Sequence, residues 1–244
     1  MPPRLYLDAP WSEGDALDLP PEQARHVQVL RLQPGDALTL FNGRGGEWAA
    51  EVTQMGGRQQ VAVRIGAHLA VERELPWEVT LAVGMPANER MDALVEKATE
   101  LGVAAIQPLQ CARSVLKLAG ERAERRQAHW QAVAVAAAEQ SGRTRVPRVH
   151  PVCPPAQWLA ALPEATGSNR RHLLCFAPDA RPATALDAAV AGATWVMSGP
   201  EGGLTPEEEA LARRHGFQPL SLGPRVLRAD TAPLAVLILL GRGT

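Results

Sequence analysis

The stretch "SGPEGGLTPEEEALARRHG", Ser198 to Gly216, decides how the chain is read. Its first nine residues hold three glycines and two prolines. Thr205, Pro206 and Glu208 then fall at the N-cap, N1 and N3 positions of a helix, a capping box with proline where its missing N–H does no harm. Immediately upstream, the apolar "TWVM" reads as a buried strand. Gly199 to Gly203 is therefore a strand-to-helix loop at the carboxyl end of a sheet, the edge at which open α/β folds bind ligands. A dinucleotide fingerprint would need Gly-x-Gly-x-x-Gly early in the fold, and a P-loop would need a closing Gly-Lys-Ser/Thr. "GPEGGL" has neither, and it puts Glu201 where a phosphate would be repelled. A nucleoside with an amine or sulfonium tolerates that acid better. The plain alternative is a tight turn without a ligand, and Glu201 near a helix N-terminus is worth about 0.3–1 kcal/mol in any case.

A second glycine-proline strand end follows within 24 residues. "LGPRVLRADTAPLAV", Leu222 to Val236, comes after the strand-like "LSLG" and runs into an apolar helix that Asp230 or Thr231 could cap. Arg225 and Arg228 flank Val226 and Leu227, so the loop mixes apolar anchors with charge.

Outward from these loops, strands alternate with helices from residue 77 to the end. "VTLAVGMP" is a buried strand, and "NERMDALVEKATELGV" sets Met91, Leu94, Val95, Ala98 and Leu101 on one helical face, with Asn88 as N-cap and Gly102 as stop. Strands follow in "AAIQPLQC", "HLLCFAP", "TWVMSG" and "PLSLG". Helices are expected over about 121–140, near "AQWLAAL", in "ATALDAAVAG", in "PEEEALARRHG" and in "APLAVLILLGR". The alternation predicts an α/β domain with a mostly parallel sheet covered on both faces. Residues 1–74 read differently. "RLYL", "ALTLFNGRGGEWAAEV" and "QQVAVRI" are strands of a small antiparallel sheet or barrel, interrupted by a helical segment holding Arg25, His26 and Arg31. The polar "ERELPWE" marks the junction with residues 75–244.

Hydrophobic residues make up 46% of the 244 residues and charged residues 21%, as in an ordinary globular protein. The net charge of −1 gives no general attraction to nucleic acid, and residues 1–74 alone carry −3. Of the 25 basic residues only Lys97 and Lys117 are lysines; arginine suits bidentate phosphate contacts. Cys111, Cys153 and Cys175 lie far apart, so neither a disulfide framework nor a metal site is indicated, and a reducing cytoplasm is expected. The longest apolar run, Leu234 to Leu240, is far short of the roughly 18 residues of a membrane span.

"SGPEGGLTPEE" followed by "LGPRVLRADTA" resembles the paired cofactor-loop motifs of the small-subunit ribosomal RNA uracil-N3 methyltransferases, the RsmE-type branch of the SPOUT superfamily. "NERMDALVEKATELGV", "AAAEQSGRTRVPRV" and "HVQVLRLQPGDALTLFNGRGGEW" extend the resemblance over essentially the whole chain. It implies an N-terminal PUA-like, RNA-binding β-barrel (1–74) and a SPOUT domain (75–244) ending in a trefoil knot. It also implies S-adenosylmethionine as cofactor, a homodimer, and small-subunit ribosomal RNA as substrate. The implied cofactor walls are Phe176 and Ala177, then Ser198, Gly199, Pro200, Gly202 and Gly203, then Leu222, Gly223, Val226, Leu227 and Arg228. Asp230 stands where the family usually has glutamate.

Methylating a uracil ring nitrogen requires loss of its proton. Arg228 is the expected stabiliser of the charge that develops on the uracil oxygens, with Asp230 or Glu201 as proton relay. A buried cofactor requires the base to be turned out of its stack, at a few kcal/mol. Arg4, Arg25, His26, Arg31, Arg143, Arg145 and Arg148 are the candidate RNA contacts, the last three forming a compact strip. A SPOUT enzyme acting elsewhere on RNA, or a non-catalytic RNA binder, are the alternatives.

Overall fold

The computed structural model describes residues 2–57, 59–87, 89–164, 169–186 and 192–241. The chain divides into two compact units. One comprises Met1–Glu74 with Ala138–Val146, the other Leu75–Ala137 with Pro147–Thr244.

The first unit contains β1 (Arg4–Tyr6), β2 (Ala16–Asp18), α1 (Pro21–Val29), β3 (Ala37–Phe41), β4 (Glu47–Met55) and β5 (Val61–Leu69). They form one five-stranded sheet in the order β1-β3-β4-β5-β2. The β3–β4, β4–β5 and β2–β5 pairs are antiparallel, as the alternating segments predict, but β1 pairs with β3 in parallel. Along β5 the buried Val61, Val63 and Ile65 alternate with less buried residues, so one face closes over Leu5, Leu38, Leu40 and Val52. The β3–β4 turn needs its glycines: Gly46 sits at φ +70°, and a Cβ there would lie 2.2 Å from Nε2 of His68. Strand β2, three residues long, is too short for a legible alternation.

The second unit is a seven-stranded sheet in the order β10-β12-β9-β11-β6-β7-β8, and all its strand pairs are parallel. Its elements are β6 (Val79–Gly84), α2 (Glu89–Glu100), β7 (Ala105–Leu109), α3 (Gly120–Ser141), β8 (Arg148–Val149), α4 (Pro155–Ala160), β9 (Arg170–Leu174), β10 (Arg181–Pro182), β11 (Thr194–Ser198), α5 (Pro206–Arg214), β12 (Gln218–Ser221) and α6 (Thr231–Leu240). The last residues of α3 belong to the first unit. Successive residues of the central strands enter different cores. Leu81, Val83 and Val196 join Met91 and Leu94 of α2 and Val236 and Leu237 of α6. Ala82 and Met197 join Trp158 and Leu159 of α4 and Ala212 of α5. Helices therefore cover both faces, which is why these strands read as continuous apolar runs.

Two local expectations change, and a third lies outside the described residues. The strand in "HLLCFAP" runs from Arg170 and stops at Leu174, leaving Phe176 and Ala177 in a loop. The helix expected in "ATALDAAVAG" begins as one 3-10 turn, Ala183–Ala185, and residues 187–191 lie outside the described residues. The proposed N-cap Asn88 also lies outside them.

Candidate functional site

The capping box that fixes the start of α5 is formed as its sequence predicts. Thr205 Oγ1 accepts from the Glu208 N–H at 3.2 Å, and Glu208 Oε2 accepts from the Thr205 N–H at 2.9 Å. Glu208 does more than cap: its Oε1 accepts from the Ala112 N–H at 2.8 Å, tying the loop after β7 to the start of α5. The 198–204 loop is folded tightly on itself. Gly203 donates to the Pro200 carbonyl at 2.8 Å and sits at φ +71°. A Cβ on Gly199 would come within 2.8 Å of the Leu204 nitrogen. Gly199 is thus required by the loop's own backbone, as a tight turn demands, independently of any ligand.

Strands β12, β9 and β11 are neighbours, and the loops leaving their carboxyl ends wall one cavity of about 870 Å³. This volume lies within the range of small-molecule and cofactor sites, about 300–1,000 Å³. Phe176, Ala177, Ser198, Gly199, Pro200, Gly202, Gly203, Leu222, Gly223, Val226, Leu227 and Arg228 all line it, so the structure brings the nominated cofactor residues together. Leu174 and Leu220 add apolar wall, while Phe176 (63% exposed) and Val226 (83%) leave large apolar side chains in solvent. Ser198 Oγ is buried at the end of β11 with no hydrogen-bond partner. A buried unpaired hydroxyl on a cavity wall calls for a polar ligand atom.

The charges of the cavity are mixed. Glu201 and Glu209 line it together with Arg90, Arg113, Arg225 and Arg228. Glu201 Oε1 accepts from the Ala87 N–H at 3.0 Å, so this acid anchors the loop after β6 as well as facing the cavity. Asp230 is not among the lining residues. It occupies the N-cap position of α6, but its side chain makes no capping bond, and Oδ1 is buried without a partner. Arg90 and Arg113 were missed from sequence. Arg113 Nη1 donates to the carbonyls of Gly202 and Leu204, both at 3.1 Å. The Cys175 thiol, also on the wall, is pushed up by burial first of all, which keeps it protonated and inert.

The expected RNA contacts separate into two groups. Arg25 and Arg31 are exposed and His26 is half-buried, on and just after α1; Arg145 and Arg148 are exposed. Arg145 pairs with Glu72 at 3.7 Å. Arg4 and Arg143 are buried instead. Arg4 pairs with Glu47, donates to the Arg143 carbonyl at 2.9 Å and lies 4.9 Å from the Phe41 ring centre. Arg143 pairs with Glu74. Neither guanidinium is available to a phosphate, which corrects their assignment: buried arginines are held by carboxylates because an unpaired buried charge is prohibitive.

A parallel sheet covered by helices, with a ligand-sized cavity at the carboxyl ends of its strands, defines the class of open α/β ligand-binding domains. The family model described as an RNA methyltransferase domain matches residues 73–241, and that of an RNA methyltransferase PUA domain matches residues 19–66. The chain is 36% identical to the ribosomal RNA small subunit methyltransferase E of Synechocystis sp., covering 88% of this chain and 69% of that protein. It is 32% identical to the Bacillus subtilis protein of the same name, covering 92% and 89%. Among solved structures, the methyltransferase E of Neisseria gonorrhoeae bound to S-adenosyl methionine superposes with a TM-score of 0.89 at 36% identity, covering 98% of this chain and 96% of that one. A Legionella pneumophila methyltransferase in complex with the cofactor SAM gives 0.90 at 35% identity, covering 98% and 97%. The chain belongs to the ribosomal RNA small subunit methyltransferase E family.

Proposed function

We propose that this enzyme methylates N3 of a uridine in small-subunit ribosomal RNA, with S-adenosylmethionine bound in the cavity at the ends of β9, β11 and β12. The observation that carries the reading is the buried, unpartnered Ser198 Oγ on a cavity that combines leucine walls with both acids and arginines, so that one ligand can meet an apolar face, a carboxylate and a guanidinium. Leu174, Leu220, Leu222 and Leu227 would pack a flat adenine, the glycine-rich loops would offer backbone groups, and Glu201 and Glu209 would face the positive end. Bound there, the cofactor supplies a methyl group on a sulfonium, an electrophile that becomes a neutral thioether on transfer.

This chain's residues must then handle the proton. N3 of uracil carries a hydrogen and has no in-plane lone pair, so the N–H bond has to break as the N–C bond forms. Arg228, exposed on the cavity wall with no side-chain partner among the described residues, offers its N–H groups to the uracil oxygens as they gain charge. Glu201 takes the proton and passes it to solvent, its carboxylate held in place by the Ala87 N–H. Between the two acids, lining of the cavity favours Glu201 over Asp230. The exposed Arg25, Arg31, Arg145 and Arg148 are the RNA contacts of this reading. The same reading includes a PUA-like barrel, a knotted C-terminal segment, action in the cytoplasm and a homodimer. The apolar α6, with Ile238 53% exposed, is the contact face for a second copy in this reading.

Titration calorimetry with S-adenosylmethionine tests the pocket. Wild type binds, Leu227→Trp loses binding while keeping its melting temperature, and Arg228→Ala keeps binding but loses turnover. Binding by Leu227→Trp at wild-type affinity would put the cofactor elsewhere.

A further inference from the structure

A recess of about 460 Å³ opens beside the main cavity, lined by Ala87, Glu89, Arg90, Val115 and Glu201. Arg90 and Glu201 line both hollows, so a cation and a carboxylate stand where the two adjoin. They form no ion pair with each other among the described residues. Glu201 is fixed through Oε1 by the Ala87 N–H at 3.0 Å. Arg90, half-buried at the start of α2, makes no side-chain hydrogen bond or ion pair among the described residues. A guanidinium has five N–H donors and no acceptor, and one left half-desolvated without a protein partner is poised for an acceptor that comes from outside. Val115, 74% exposed, contributes an apolar surface to the same recess.

We propose that this recess is the subsite for the substrate base, and that Arg90 and Glu201 read the edge of a uracil. The inference rests on the methyl-transfer reading above and adds where the base sits and what selects it. Along its edge uracil presents acceptor, donor, acceptor: O2, N3–H and O4. Arg90 donates to a ring carbonyl oxygen, and Glu201 accepts from N3–H. Cytosine has a bare N3 lone pair in the middle position, which meets the carboxylate with repulsion. A site built to hydrogen-bond one partner rejects the analogue that leaves its polar groups unpaired far better than an apolar pocket does. The apolar side of Val115 covers the ring, and the carboxylates of Glu89 and Glu201 turn away the phosphates. The base is thereby held at the border of the cofactor cavity, where a transferred methyl group has to arrive.

The experiment combines a crosslink with kinetics. The uridine methylated by wild type is located first by nucleoside mass spectrometry, and an RNA fragment carrying a single 4-thiouridine at that place is irradiated with the full-length protein. The crosslink is expected on the tryptic peptide Ser114–Lys117 that carries Val115 or on Glu74–Arg90 that carries Ala87, Glu89 and Arg90; a crosslink on neither peptide overturns the proposal. Arg90→Ala should lower turnover roughly 100-fold, as loss of one preorganised donor does, while its affinity for S-adenosylmethionine by calorimetry stays at wild type. Arg90→Lys should recover part of the rate. Unchanged turnover in Arg90→Ala, or a parallel loss of cofactor affinity, contradicts the assignment. If wild type modifies a base other than uracil, the methyl-transfer reading fails at the first step, and the crosslink still reports whether a base enters the recess.

Discussion

Arg113 reaches across 89 residues of sequence to donate from Nη1 to the carbonyl of Gly202 at 3.1 Å, and from the same atom to Leu204 at 3.1 Å. The contact fixes the outer half of the glycine-rich loop, which in turn walls the cavity. Removing it leaves two carbonyls to water and gives the loop back its freedom. Arg113→Ala should therefore weaken S-adenosylmethionine binding about tenfold, equivalent to about 1.4 kcal/mol, with little change in melting temperature. Calorimetry and a thermal melt on the same sample separate the two effects.

Gly84 ends β6 against the same loop. A Cβ there would lie 2.4 Å from both the nitrogen and Cδ of Pro200, rigid atoms that cannot swing aside. Overpacking of this kind costs about 1–3 kcal/mol. Gly84→Ala should lose that much stability in urea denaturation, and because Pro200 must shift, it should also lose cofactor affinity.

In the first unit, Glu47 accepts from both Arg4 and Arg73. Burial tends to raise its carboxyl pKa, but the hydrogen bonds from Arg73 and Arg4 outweigh it and hold the group below the usual carboxylate value. A depressed carboxylate stabilises the fold above its unfolded pKa, and that contribution is lost as pH falls through the folded value. Glu47→Gln leaves Arg4 buried without a counter-charge and should cost about 3 kcal/mol at pH 7. Arg4→Met combined with Glu47→Leu should recover most of it. Chemical denaturation of the three proteins checks the order.

His172 on β9 shows the opposite case. Burial, with help from Arg170 and Arg181, pushes it down to about 4, and its Nε2 is buried without a partner. The folded state holds it neutral while the unfolded state takes up a proton below about 6.5, so stability drops as pH falls from about 6.5 to 4, by about 1–3 kcal/mol. Melting temperatures measured across this interval should fall in wild type, and fall less steeply in His172→Leu.

Much of this was legible in the sequence because it is local. The capping box of α5 lies within four residues, the apolar face of α2 within three turns, and the two glycine-proline strand ends are recognisable one at a time. What escaped is set by contacts between distant segments. Arg113 sits in the mixed stretch "CARSVLKL", which carries no period, and its meaning depends on carbonyls far along the chain. Arg4 and Arg143 looked like surface arginines because the carboxylates that bury them, Glu47 and Glu74, are 43 and 69 residues away. The need for glycine at 199 was visible, but its cause, the Leu204 nitrogen, appears only once the loop is closed.

The atom that receives the methyl group distinguishes methylation at N3 of uridine from every other transfer to RNA. Purified protein, incubated with methyl-labelled S-adenosylmethionine and either free small-subunit ribosomal RNA or assembled subunits, followed by digestion to nucleosides and mass spectrometry, reads that atom directly. Label is expected in 3-methyluridine; label in a ribose-methylated or other base-methylated nucleoside, or in none, would contradict methylation at N3.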